Sequence, residues 1–160
     1  MCARSSEASQ RGFTLPELVA VLMIVAVLAA VALPKLDVGL AMRNDTWHDE
    51  VVAALRNARQ TAVSHRRLVC AVVGSTSVTL TIAAANPATT CSASLTGPGG
   101  SAAFTSTTAT TATLSPAGTM YFQPTGRVTS DGAGSTTSDR SIAIAGSTAI
   151  SVVGETGHVE

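Results

Sequence analysis

Residues 18–33 carry no charged or polar side chain, and with 13–17 in front the stretch reaches about the 20 residues a helix needs to cross a bilayer. A segment of this kind must be buried in lipid or among other helices, so the remainder of the chain is expected to be a domain carried by it. Glu17 is the one acid inside it. A carboxylate in a spanning helix costs roughly 2.5 to 3.5 kcal/mol on insertion scales and less near an interface, so position alone leaves two readings of Glu17 open. It is either a charge tolerated close to the headgroups or a functional group. Arg4 and Arg11 precede the apolar run and keep that end inside, which sends the rest of the chain out. A conventional secretory signal competes, with Ala30-Val31-Ala32 as a small-x-small site, but the apolar run is at the long end for such a signal and Glu7 and Glu17 break the pattern.

Pro34 closes the apolar run and Gly39 follows, which predicts a kink or local loosening over 33–40. Pro16 suits a first turn, where a missing N–H costs little. The helix is expected to resume with Asn44, Asp45 or Thr46 as cap and with Asp49 and Glu50 in or near its first turn. From there Trp47, Val51, Leu55, Ala58 and Ala62 recur with helical period while His48, Arg56, Arg59 and Gln60 fall elsewhere, the pattern of a half-buried helix whose apolar stripe packs on a domain.

No charged residue occurs over 68–126. β-branched runs between Gly, Pro and Ser signals predict a first hairpin of strands at 68–73 and 78–83 turning at Gly74-Ser75, a strand at 119–123, and a last hairpin of 141–145 and 149–153 turning at Gly146-Ser147. Residues 84–116, low in bulky apolar side chains and rich in Thr, Ala and Gly, read as long loops with at most weak edge strands, and 131–139 as a polar loop. Cys70 and Cys91 are the only cysteines beyond Cys2 and fall in the part expected outside the cytoplasm. A disulfide between them is expected there, two free thiols being the alternative.

Composition narrows the function classes. At 160 residues the chain has room for one compact domain besides the helix, and 12% charged residues with ten basic against ten acidic describe neither an acidic disordered tail nor a basic nucleic-acid binder. His48, His65 and His158 lack metal-ligand spacing, and there is no Gly-x-Ser-x-Gly elbow or paired-carboxylate site, so no catalytic residue, metal or cofactor is expected. Asp131-Gly132-Ala133-Gly134-Ser135 with Asp139 could approach a calcium ion but lacks the alternating acids of an EF-hand, which favours a plain turn.

Gly12-Phe13-Thr14-Leu15-Pro16-Glu17-Leu18 resembles the class III signal of type IV pilins and type II secretion pseudopilins. The resemblance implies cleavage between Gly12 and Phe13 by prepilin peptidase, N-methylation of the new Phe13 amine, and a Glu17 that meets the N-terminal amine of a neighbouring subunit during assembly. Two opposite charges, each costly alone in hydrocarbon, attract strongly there. The helix 53–63, the strand 68–73, the segment Phe122-Gln123-Pro124-Thr125-Gly126-Arg127 and the ending Ile150-Ser151-Val152-Val153-Gly154-Glu155-Thr156-Gly157 look like the GspH/FimT branch of minor pilins and pseudopilins. That implies an α+β fold: a long N-terminal helix, membrane-spanning in its first half and amphipathic in its second, packed on a small antiparallel β-sheet or sandwich. The expected divisions are a leader at 1–12, a spanning or filament-core helix at 13–40, an amphipathic helix at 41–66 and an extracytoplasmic β-rich domain at 67–160. Implied partners are other pilin or pseudopilin subunits through the N-terminal helix, prepilin peptidase, the inner-membrane assembly platform and the membrane itself, in a single-pass protein whose C-terminal domain lies in the periplasm. Some FimT proteins take up DNA through a C-terminal Gly-Arg-x-Arg. Here the matching positions read Gly157-His158-Val159-Glu160, and Glu160 would repel phosphate, so DNA is a less favoured partner with Arg127 and Arg140 as its candidate contacts.

Overall fold

The computed structural model describes residues 14–97, 100, 103–106 and 110–160, with side chains described outside 31–44. The chain separates between Gly39 and Leu40 into two units. Helix α1 (Leu15–His65) begins in the first and ends in the second. It stays helical through Pro34 and Gly39, so the fresh cap expected at Asn44, Asp45 or Thr46 is not formed. One proline removes a single donor, and the Leu, Ala and Met on both sides are strong helix formers, so the backbone stays helical and no second N-cap is required. The helix stops at Arg66, whose φ of 52° lies in the left-handed region. The Arg67 N–H then donates back to the Ala62 carbonyl at 3.1 Å, closing the last turn as a glycine usually does.

In the first unit every large apolar side chain from Leu15 to Leu28 is exposed, on all sides of the helix. Among the described residues no helix is long and apolar enough to cross a membrane, and the expected spanning segment 13–40 lies partly outside them.

The second unit is an α+β domain whose strands are all antiparallel. β1 (Val69–Val73) forms a hairpin with β2 (Ser77–Ile82) and pairs on its other side with β6 (Met120–Phe122), which pairs with β7 (Val128–Thr129). The short strands β3 (Ala93–Ser94) and β4 (Ala103–Thr105) share the outer edge of β2. A second sheet has the order β5-β8-β9, from β5 (Ala112–Ser115), β8 (Arg140–Ile144) and β9 (Ile150–Val152).

Two expectations need correcting. The strands within 84–116 are edge strands, as expected, but β5 is not a weak one, since it pairs with β8 over its whole length and buries Ala112 and Leu114. The last hairpin is also wider than a two-residue turn. β8 and β9 pair only as far as Ile142 opposite Ile150, while Ala143 and Ile144 continue along β5. A tight turn still forms at Gly146, where the Ser147 N–H donates to the Ile144 carbonyl at 3.1 Å, but it lies inside a wider loop because β5 supplies the partners of Ala143 and Ile144.

Trp47, Val51, Leu55, Ala58 and Ala62 of α1 are buried together with Val78, Leu80, Met120 and Phe122 of the first sheet and Ile142, Ile150 and Val152 of the second, in one core. The amphipathic stripe read from the sequence is therefore the helix face that packs. Along β1 and the residue before it the period of two splits the burial, for Val69 and Ala71 enter this core while Leu68 and Cys70 join a small cluster with Ala83.

Cys70 and Cys91 are joined by a disulfide across a Cα–Cα distance of 6.0 Å. The bridge ties the loop after β2 to that second cluster, against Ala88 and Tyr121. With a sequence separation of 21, the chain-entropy model assigns it about 3 kcal/mol. Replacing both cysteines by Ser should lower the unfolding free energy by about that amount, read in a urea titration by the fluorescence of Trp47, the only tryptophan. A loss below about 1 kcal/mol would show that the loop is held by its packing alone.

Candidate functional site

Gly12 and Phe13, the expected cleavage and methylation positions, lie outside the described residues. Glu17 stands exposed in the first turn of α1. The Thr14 carbonyl accepts from the Glu17 and Leu18 amides, both at 3.1 Å. The Glu17 carboxylate turns back toward Thr14, with Oε2 3.5 Å from both the backbone N and Oγ1. Thr14-Leu15-Pro16-Glu17 is thus a loose capping box, a spacing present in the sequence but not singled out there. It aims the carboxylate toward the helix N-terminus, where the dipole favours negative charge.

The two arginines considered for DNA sit differently from one another. Arg127 is half-exposed, and its Nη2 donates to both oxygens of Glu155, at 3.0 and 2.9 Å. The Thr137 hydroxyl donates to the same carboxylate at 2.8 Å. That hydroxyl and then Arg127 hold the Glu155 carboxyl below its ordinary pKa, so what the pair contributes is present above the usual carboxylate range and is lost as pH falls through the lowered value. Arg140 is 5% exposed, and its Nη1 donates to the Pro116 carbonyl at 2.6 Å. A phosphate contact from Arg140 is therefore not supported. It alternates with Ile142 and Ile144 on the buried face of β8, a period-two consequence that its charge obscured in the sequence.

The Asp131 loop is closed from within. Oδ1 accepts from the Ser135 N–H at 3.1 Å and hydroxyl at 2.9 Å, and Oδ2 accepts from the Thr136 N–H at 3.0 Å. These donors, led by the Ser135 amide, lower the Asp131 pKa and occupy the oxygens a cation would need. Asp139 is engaged elsewhere, accepting from the Gly154 N–H at 2.7 Å. Among the described residues no group of three His, Cys, Asp or Glu side chains could hold a metal.

A groove of about 510 Å³ runs between α1 and the C-terminal segment, lined by Arg56, Arg59, Gln60, Val63, Gly157 and His158 among others. The last residues fold back beside β9: Val159 bridges to Val152, and Ser151 and Glu160 exchange backbone bonds at 2.7 and 3.0 Å. Arg56 fixes this fold-back to the helix, its Nε and Nη2 donating to the Val159 carbonyl at 3.2 and 2.9 Å. Gly157, at φ 63°, lies so close to the Gly126 carbonyl that any side chain there would collide with it, and Arg59 lies alongside. Helical period alone sets Arg56 and Arg59 off the apolar stripe, whereas nothing in the local sequence brings the Gly157 turn to them.

Residues 8–33 match the prokaryotic N-terminal methylation motif. That match supports a type IV pilin-like protein, of pilin or pseudopilin type, and is consistent with processing by prepilin peptidase and assembly with other pilins. No curated protein and no solved structure matches the chain.

Proposed function

We propose that this chain is a minor pilin or pseudopilin of the GspH/FimT kind, a structural subunit that primes or joins a type IV pilus or type II secretion pseudopilus and is not an enzyme. The methylation motif over 8–33 carries the reading, because it is a processing and assembly signal placed directly in front of α1. The apolar circumference of α1 from Leu18 to Leu28 supports it, since such a surface is stable only in lipid or against other helices. In this reading the uncut chain waits in the inner membrane with its α+β domain in the periplasm, where a Cys70–Cys91 bridge is stable. Phe13 becomes the methylated N-terminus and Glu17 faces the amine of a neighbour. A tip receptor for DNA is less favoured, with Arg127 held by Glu155 and Arg140 buried.

Mass spectrometry of the mature N-terminus is the test. The expected result is a chain that begins at a methylated Phe13. A start after Ala32, or an intact leader in cells with active prepilin peptidase, would overturn the assignment.

A further inference from the structure

In the groove between α1 and the C-terminal segment an unengaged cation and an exposed apolar side chain meet on a fixed frame. Its volume of about 510 Å³ lies within the range of small-ligand sites. Among the described residues Arg59, exposed in this groove, has no hydrogen-bond or carboxylate partner. Arg56 is engaged, its Nε and Nη2 donating to the Val159 carbonyl, and Arg127 is held by Glu155.

Arg59 is also held in place. Gly126 and Gly157 both lie in the left-handed region, at φ 89° and 63°, and bring their backbones against the arginine: a Cβ on Gly157 would fall 3.1 Å from its Cδ and Nε. A Cβ on Gly126 would meet Val63 Cγ2 at 3.4 Å. Val63 stands one turn beyond Arg59 on the same face of α1. Val63, 45% exposed, and Val72 are the large apolar side chains left open on the second unit among the described residues, and of the two Val63 lines the groove.

A fork-shaped donor fixed beside an aliphatic surface selects a ligand with one carboxylate and one short apolar group. We propose that the groove binds a free small monocarboxylate of this kind, the size of an acylated amino acid, with its carboxylate on the Arg59 guanidinium and its aliphatic part against Val63. Gln60 and His158 line the same groove and offer hydrogen bonds to the ligand's other polar atoms. Charge favours a monoanion over phosphate. The Glu160 carboxylate, 3.9 Å from His158, offsets one of the two arginine charges and repels a second negative charge on the ligand. Among the described residues the groove offers one free guanidinium, not the row of cations that a polyphosphate chain needs. The proposal does not depend on the filament reading, because the groove is built wholly within the second unit.

The test uses the purified full chain in detergent micelles, titrated with N-acetyl-leucine and followed by NMR at the Arg59 Nε–H and the Val63 methyls. Saturable shifts at both positions with a Kd of about 1 mM are expected. N-acetyl-leucinamide keeps the apolar group and loses the charge, and acetate does the reverse, so each should bind about tenfold more weakly or worse. Arg59→Gln should weaken N-acetyl-leucine about tenfold while the amide signals of β1 and β6 stay in place, and Arg59→Lys should recover only part, since an ammonium lacks the planar fork. An amide that binds as well as the acid, shifts that never saturate, or an affinity untouched by Arg59→Gln overturns the site. Inorganic phosphate binding more tightly than N-acetyl-leucine overturns the ligand class, and a peptide ending in the same leucine that binds about tenfold more tightly overturns the free acid as its source.

Discussion

Glu17→Ala should leave the protein in the membrane and remove it from sheared filaments. Deleting the acid lowers the cost of placing the helix in lipid by roughly 2.5 to 3.5 kcal/mol, so insertion and processing should be at least as good as in wild type. The carboxylate takes no part in the domain core, which is drawn from Trp47 onward, so the disulfide and the fold should persist. What disappears is the acceptor that Thr14 and Glu17 hold at the start of α1. In the proposed filament a neighbour's amine would then be left as an unpaired charge in an apolar bundle, a loss of about 3 to 5 kcal/mol by analogy with broken buried pairs, or more than a hundredfold in assembly. Glu17→Asp should rescue in part, since its shorter arm reaches less far. Immunoblots of filaments and of membranes for wild type and both variants decide the matter, and equal filament recovery for Glu17→Ala would make the acid a bystander.

Phe122→Ala should produce the largest loss of domain stability, about 3 to 5 kcal/mol. Phe122 is fully buried on β6, opposite Val69 of β1 on one side and Val128 of β7 on the other, and faces the α1 stripe. A chain with only 3% aromatic residues has little bulk to collapse into the space. Domains of this size are commonly stable by only 5 to 15 kcal/mol, so the variant should lose much of its margin. Urea titration through Trp47 fluorescence measures it, and a change under about 1.5 kcal/mol would show that the site repacks.

Much of this architecture can be read from local pattern. Trp47, Val51 and Leu55 declare their buried face by helical period, and the β1–β2 hairpin and β6 follow from short β-branched or aromatic runs between turn residues. β5 escapes because Ala112-Thr113-Leu114-Ser115 offers only two modest apolar residues, and their alternation gains meaning once β8 lies beside them. Arg140 escapes for the reverse reason, as a charge that suggests solvent while its strand parity dictates burial. The Thr14–Glu17 cap was legible as a spacing. The groove was not, because it depends on the close approach of Gly126 and Gly157, a tertiary contact no local pattern encodes.

The absence of charge over 68–126 acquires a further meaning once the strands are in place. β1 to β6 cohere through backbone ladders and apolar burial, neither of which ions screen, while the described salt bridges lie on α1 and on the segments after β6. Exposed charges feel a Debye length that shrinks from about 10 Å at 0.1 M salt to about 3 Å at 1 M. Ionic strength thus acts on the charged pairs of α1 and of the segments after β6, and leaves the ladders and apolar contacts of β1 to β6 untouched.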